Sequence, residues 1–292
     1  MQISAAAVKE LRERSGAGMM ECKSSLVATN GDIDLALEHL RKSGAAKAAK
    51  KAGRIAADGA VVVAEKDGVA ALVEINSETD FVANDESFTL FANAVAATIL
   101  AGRPTDVAAL GALPLAGAAE TVESARQQLV LKVGENISIR RFEIETAQGG
   151  ALGAYRHGKR IGVLVSLEGD NAALARDIAM HIAASNPACI DETDVPPALL
   201  AKEREIRLAQ AATSGKPADI VEKMVGGQLR KFIGEITLLG QPYVKDPDTT
   251  VGKLLGGKTK VRNFVRYEVG EGIEKKAVDF AEEVKAQARG AE

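Results

Sequence analysis

One pattern occurs twice along this chain, and it limits the fold more than any other feature. Residues 60–66 and 69–76 are β-rich and meet at Lys66-Asp67-Gly68, a hairpin signal. Next comes a helix, with Phe88, Phe91, Ala92, Val95 and Ile99 at helical spacing. Beyond a Pro/Gly-marked connection and another helix over about 120–132, residues 137–145 read as a strand. The order then recurs. Residues 153–156 and 161–167 flank the turn His157-Gly158-Lys159, a helix carries Leu174, Ile178, His181 and Ile182, and residues 261–269 read as a strand. The two late strands echo each other, with Ile139-Arg140-Arg141-Phe142-Glu143-Ile144 beside Asn263-Phe264-Val265-Arg266-Tyr267-Glu268-Val269. The chain therefore reads as two related α+β halves, each a hairpin, a helix and a further strand.

Three helices precede the halves. Ser4 caps the first, over residues 4–14, and Gly16-Ala17-Gly18 ends it. The second runs from about Met19 to Thr29, and the third starts after Asn30-Gly31 with Asp32 as its cap. So small a bundle holds only a handful of core side chains and suits a docking module of the ubiquitin-associated (UBA-like) kind. Residues 43–54 carry Lys47, Lys50, Lys51 and Arg54 and read as a solvated, partly helical linker; a nucleic-acid patch is disfavoured because no aromatic is there to stack bases. In the second half, residues 198–213 and 219–236 form an inserted antiparallel helical hairpin. Its apolar stripe serves either self-association or packing on its own domain. A last helix over about 274–288 aligns Ala277, Phe280, Ala281 and Val284. The expected organisation is thus a helical module with linker (1–54), a first α+β subdomain (55–148), a second (149–270, with the hairpin at about 195–237) and a C-terminal helical module (271–292).

A net charge of −3 argues against broad phosphate-backbone binding, which needs a basic face. Cys22 and Cys189 have no metal-type spacing and read as buried free thiols. No apolar run reaches the length of about 18 residues that a membrane span needs, and no leader opens the chain, so the cytoplasm is the expected compartment.

Few segments look chemical. Residues 252–259 match the pattern G-x-x-x-x-G-K-[ST], but a phosphate loop must leave a buried strand and open a helix. Here residues 246–250 do not read as a strand, while residues 261–269, on the far side, read as a strand and not a helix, so nucleotide binding is rejected. Among the histidines, His39 and His181 sit in amphipathic helices as structural residues, whereas His157 at a hairpin tip suits a surface contact. No catalytic, metal or cofactor grouping is legible. Met19 and Met20 point about 100° apart on a helix, so either one is a flexible apolar contact or both are partly buried. The sharpest feature is Thr79-Asp80-Phe81-Val82, in a stretch (77–85) that the second half replaces with only Glu168-Gly169-Asp170-Asn171. Either Phe81 folds back on its helix while Asp80 or Asn84 caps it, or Phe81 is an exposed anchor of the kind found at interface hot spots.

Several strings resemble the bacterial elongation factor Ts family. Residues 8–23, containing Gly16-Ala17-Gly18-Met19-Met20-Glu21-Cys22-Lys23, are similar to its opening signature, as is Asn30-Gly31-Asp32-Ile33-Asp34. Thr79-Asp80-Phe81-Val82 resembles its functional signature, and residues 157–165, 180–185 and 268–273 match further on. Ser24-Ser25 stands where the family often has lysines, so no basic contact is assigned there. The resemblance covers essentially the whole chain. It implies a non-enzymatic guanine-nucleotide exchange factor that binds elongation factor Tu with GDP, displaces its Mg²⁺ and lets GTP enter, with no cofactor of its own and no direct nucleic-acid or membrane partner. By the same resemblance Thr79, Asp80, Phe81 and Val82 dislodge the Mg²⁺. Arg12, Met19 and Met20 dock on the GTPase domain, His157 lies near another domain of the partner, and the hairpin at about 195–237 is a candidate homodimer element.

Overall fold

The computed structural model describes residues 3–212, 217–257 and 259–274. Helix α1 (Ala5–Ser15) begins where the Ala7 N–H donates to Ser4 Oγ at 3.2 Å and ends where Gly16 turns left-handed. Helix α2 (Met19–Ala28) gives way to Asn30 and Gly31, both at positive φ, and Asp32 then caps α3 (Ile33–Lys51) through the Leu35 N–H. Leu11, Ala17, Cys22, Leu26, Ala36 and Leu40 form the small core, closed by Leu131 from much later in the chain. The expected linker is instead a continuous part of α3 as far as Lys51. Its small residues explain why: Gly44 and Ala48 are buried, and a Cβ on Gly44 would already touch Leu131 at 3.7 Å. Lys47 pairs with Glu21 at 2.8 Å and Lys51 donates to the Gly134 carbonyl, so these cations are tethered to protein.

The first half opens with β1 (Asp58–Lys66) and β2 (Val69–Ser77), antiparallel around Asp67 and Gly68. Both turn residues have positive φ, the geometry that a tight two-residue hairpin requires. Residues 77–85 are not a plain loop: one helical turn, α4 (Asp80–Asn84), precedes α5 (Glu86–Gly102). The Pro/Gly-marked connection holds a short α6 (Val107–Ala112). Helix α7 (Val122–Val133) packs against α3, and β3 (Ser138–Thr146) pairs antiparallel with β2, giving the order β1-β2-β3. Ala60, Val62, Ala71, Val73 and Ile75 meet Phe88, Val95, Ile99 and Val130 from the helices.

The second half repeats this plan. Strands β4 (Ala151–His157) and β5 (Ile161–Leu167) form the hairpin, and α8 (Ala172–Ser185) covers it so closely that a Cβ on Gly153 would lie 2.2 Å from the Ala175 carbonyl oxygen. Helices α9 (Pro197–Ala212) and α10 (Ala218–Ile236) come next, each packing mainly on the other. Residues 246–250, which do not read as a strand in the sequence, form one: β6 (Pro242–Tyr243) and β7 (Asp246–Thr250) make a small ribbon. Helix α11 (Val251–Leu255) then falls inside the phosphate-loop pattern and ends at left-handed Gly256, so the glycines close a helix where such a loop must open one. Strand β8 (Val261–Glu268) pairs with β5, giving β4-β5-β8. Ala277, Phe280, Ala281 and Val284, expected on a terminal helix, lie outside the described residues.

The two sheets pack back to back. Val61, Ala70 and Leu72 of the first meet Leu164, Tyr267 and Val269 of the second. With a helical layer on one face and a sheet on the other, β2 is buried along its whole length, which explains its apolar run from Val69 to Val73. Gly162 sits in this seam, where a Cβ would come within 2.5 Å of both Leu72 and Val61. One charge is buried there. Glu74 Oε1 accepts from Arg140 (3.0 Å), the Gly270 N–H (2.8 Å) and Asn76 (3.1 Å), while Oε2 accepts from Arg141 (2.7 Å). Arg141 in turn stacks over the Tyr267 ring at 4.1 Å. Burial pushes the Glu74 carboxyl up, but the bonds from Gly270, Arg141, Arg140 and Asn76 prevail and hold it below its ordinary value.

Candidate partner-docking site

The two halves differ most between hairpin and helix, and there the first half builds α4. A five-residue helix is too short to stand alone, since nucleation costs more than one turn returns. External groups hold this one. At its start, the Val82 N–H donates to Thr79 Oγ1 (3.4 Å). Thr79 in turn donates its N–H and hydroxyl to the two carboxylate oxygens of Glu135 (3.0 and 2.7 Å). Next to it, Glu78 accepts from the Asn136 N–H at 2.6 Å. At its end, Lys159 Nζ donates to the Ala83 carbonyl (3.1 Å) and to Asn84 Oδ1 (3.0 Å), and Asn84 Nδ2 reaches back to the Asp80 carbonyl (2.9 Å). Asp85 caps the next helix, and hydrogen bonds from Ser87 hold its carboxyl below the ordinary value.

This bracing divides the four signature residues. Thr79 is engaged in the cap, and Val82 packs on the first core. Asp80 points outward, and Phe81 is 84% exposed, more than any other large apolar side chain among the described residues. Phe81 does not fold back, and the capping is done by Thr79 and Asp85 rather than by Asp80 or Asn84. An exposed Phe on a braced turn contributes nothing to the core.

Two further surfaces accompany it. Arg12, Met19 and Met20 are all exposed on the helical module, Met19 at 59% and Met20 at 73%, because Leu11, Ala17 and Cys22 already fill its core. His157 is exposed at the end of β4, with Nδ1 3.3 Å from the Tyr155 hydroxyl. Of the other histidines, His181 is fully buried, whereas His39 is exposed with Nδ1 3.0 Å from Ser25 Oγ. Cys22 is buried as expected, whereas Cys189 is only partly so.

No motif singles out Leu90, Glu135 or Lys159. Leu90 is exposed on α5, in a groove shared with Arg14, Ser15 and Gly16 of the helical module; its place off the apolar stripe of that helix was the available signal. Glu135 and Lys159 stand 56 and 76 positions from the residues they hold, so no local pattern reveals them.

The fold and this surface define a two-sheet α+β protein that carries a helical module and displays a firmly held aromatic tip. Residues 78–271 match the model of the elongation factor Ts family. The chain is 65% identical to elongation factor Ts of Thioalkalivibrio sulfidiphilus, with all of both chains covered. It is 57% identical to that of Methylococcus capsulatus (99% of each) and 56% identical to that of Legionella pneumophila strain Philadelphia 1 (98% of this chain, 99% of the other). The chain belongs to the elongation factor Ts family. Among the described residues no helix is long and apolar enough to cross a membrane.

Proposed function

We propose that this chain is the guanine-nucleotide exchange factor of elongation factor Tu: it binds the GDP form in the cytoplasm, displaces Mg²⁺ and promotes GDP release, without catalysing a covalent step. The observation that carries the reading is Phe81, 84% exposed on a helical turn held at both ends. Mg²⁺ binds nucleotide phosphates and protein oxygens at short, near-octahedral distances, so a small shift of the elements holding it is costly. Burying Phe81 in the partner supplies about 1.5–3 kcal/mol. That corresponds to about 10- to 150-fold in an equilibrium constant. Docking through Arg12, Met19, Met20 and His157 adds to this and favours the distorted state. Linkage makes the effect reciprocal: a factor that weakens GDP binding is itself weakened by GDP, and it leaves when nucleotide rebinds. Exposed Leu199, Ile206 and Ile220 on the helical hairpin suit association with a second copy, which equilibrium sedimentation tests.

The test is release of labelled GDP from elongation factor Tu with and without this chain. Acceleration is expected, and Phe81→Ala should lose about 10-fold or more of it while melting at an unchanged temperature. Full activity of Phe81→Ala refutes the wedge.

A further inference from the structure

We infer that Lys159 and Glu135 are positioning residues that hold α4 from opposite ends, so that Phe81 meets its partner already in its working orientation. The inference rests on the exchange-factor reading and adds to it a role for groups outside the tip.

Helix ends leave N–H and C=O groups without intrahelical partners, and a five-residue helix is almost all ends. In α4 a group at each end is met by chemistry of matching sign. The carboxylate of Glu135 takes both donors of Thr79 at the N-terminal side, and the ammonium of Lys159 sits on the Ala83 carbonyl at the C-terminal side. A carboxylate near the start and a cation near the end also complement the helix dipole.

The two clamps come from different halves. Glu135 lies between α7 and β3 of the first half, and Lys159 in the β4–β5 turn of the second. The backbone of Lys159 is fixed as well, because its carbonyl accepts the Val61 N–H on the edge of β1 at 2.8 Å. The orientation of the tip therefore depends on the seam between the sheets. The hairpin that presents His157 also grips the turn that presents Phe81, so two contact surfaces move as one body. Without the clamps, ordering the turn would draw on the free energy of binding, a cost that preorganisation avoids.

The experiment measures GDP release from elongation factor Tu over a range of concentrations of the full chain. It compares wild type, Lys159→Met, Lys159→Arg, Glu135→Gln and Phe81→Ala, with both clamp changes also placed in the Phe81→Ala background. Lys159→Met keeps the aliphatic stem and removes the charge. The expected result is a fall of about 3- to 10-fold in the rate at saturating factor for Lys159→Met and for Glu135→Gln, in line with losing charge-assisted bonds that are partly solvated. The half-saturating concentration should change less, and Lys159→Arg should recover most of the rate. Neither clamp change should lower the rate further once Phe81 is Ala, because the clamps act only through the tip. Full rates for both clamp variants, or losses that persist undiminished in the Phe81→Ala background, overturn the inference. Full activity of Phe81→Ala alone overturns instead the reading on which it rests.

Discussion

Replacing Glu74 by Gln tests the charge cluster buried beside the seam between the two halves. The carboxylate is inaccessible to solvent and accepts four hydrogen bonds, two of them from Arg140 and Arg141. Glutamine keeps an oxygen for the Gly270 and Asn76 donors but turns an NH₂ toward a guanidinium. Each charge-assisted bond is worth about 1.5–3 kcal/mol when dry. Arg140 and Arg141 are 28% and 32% exposed and can recover some hydration, which favours the low end of that range. The net expectation is a loss of about 2–4 kcal/mol. At about 2 °C per kcal/mol for a chain of this size, melting should fall by about 4–8 °C. Acidity supplies a second readout. The folded carboxyl lies below its ordinary value of 4.5, so the unfolded chain takes up the proton first as pH falls. The stabilisation is full above the ordinary carboxylate range and is lost as pH drops through the folded value. Wild type should therefore lose stability more steeply than Glu74→Gln below about pH 5, and the two should converge in acid. Urea unfolding followed by circular dichroism at several pH values measures both effects. Equal midpoints at neutral pH, or parallel pH profiles, would refute the account of Glu74 as a buried charge held by Arg140 and Arg141 beside the seam.

Other changes probe the same physics. Gly153→Ala places a methyl 2.2 Å from the Ala175 carbonyl of α8 and should destabilise strongly, by about 3 kcal/mol or more, because backbone must yield. Gly226→Ala, in α10 with open space around the new Cβ, should stabilise by about 0.5–1 kcal/mol; paired thermal melts of the two variants separate packing from propensity. His181 is held neutral: burial lowers its proton affinity, and the Val244 N–H donates to Nδ1 (3.2 Å), leaving Nε2 facing Gln241 Oε1 at 3.0 Å. Its folded value lies below the ordinary value of 6.5, so the unfolded chain protonates first and stability should fall as pH drops through 6.5 toward the folded value. His181→Gln should flatten that part of the profile in a pH series of melts.

Much of this protein was legible in its sequence because the signals are local. Ser4 and Asp32 cap the helices they precede, Asp67-Gly68 makes the tight hairpin, and Phe88, Phe91, Val95 and Ile99 lie on the buried face of α5, since capping, turn geometry and periodicity are decided within a few residues. The doubled hairpin, helix and strand set the plan of both halves. Where local pattern fell short, distant groups decided. Residues 43–51 became packed helix because Leu131 receives Gly44, and residues 246–250 became a strand because residues 242–243 lie beside them. The Asp80-Phe81 tip shows both sides. Its chemistry and its insertion between hairpin and helix were written in the chain. Its helical form was not, because the groups bonded to its two ends come from far along the chain: Glu135 from beyond α7, and Lys159 from the second half, which the packing of one sheet on the other brings to α4.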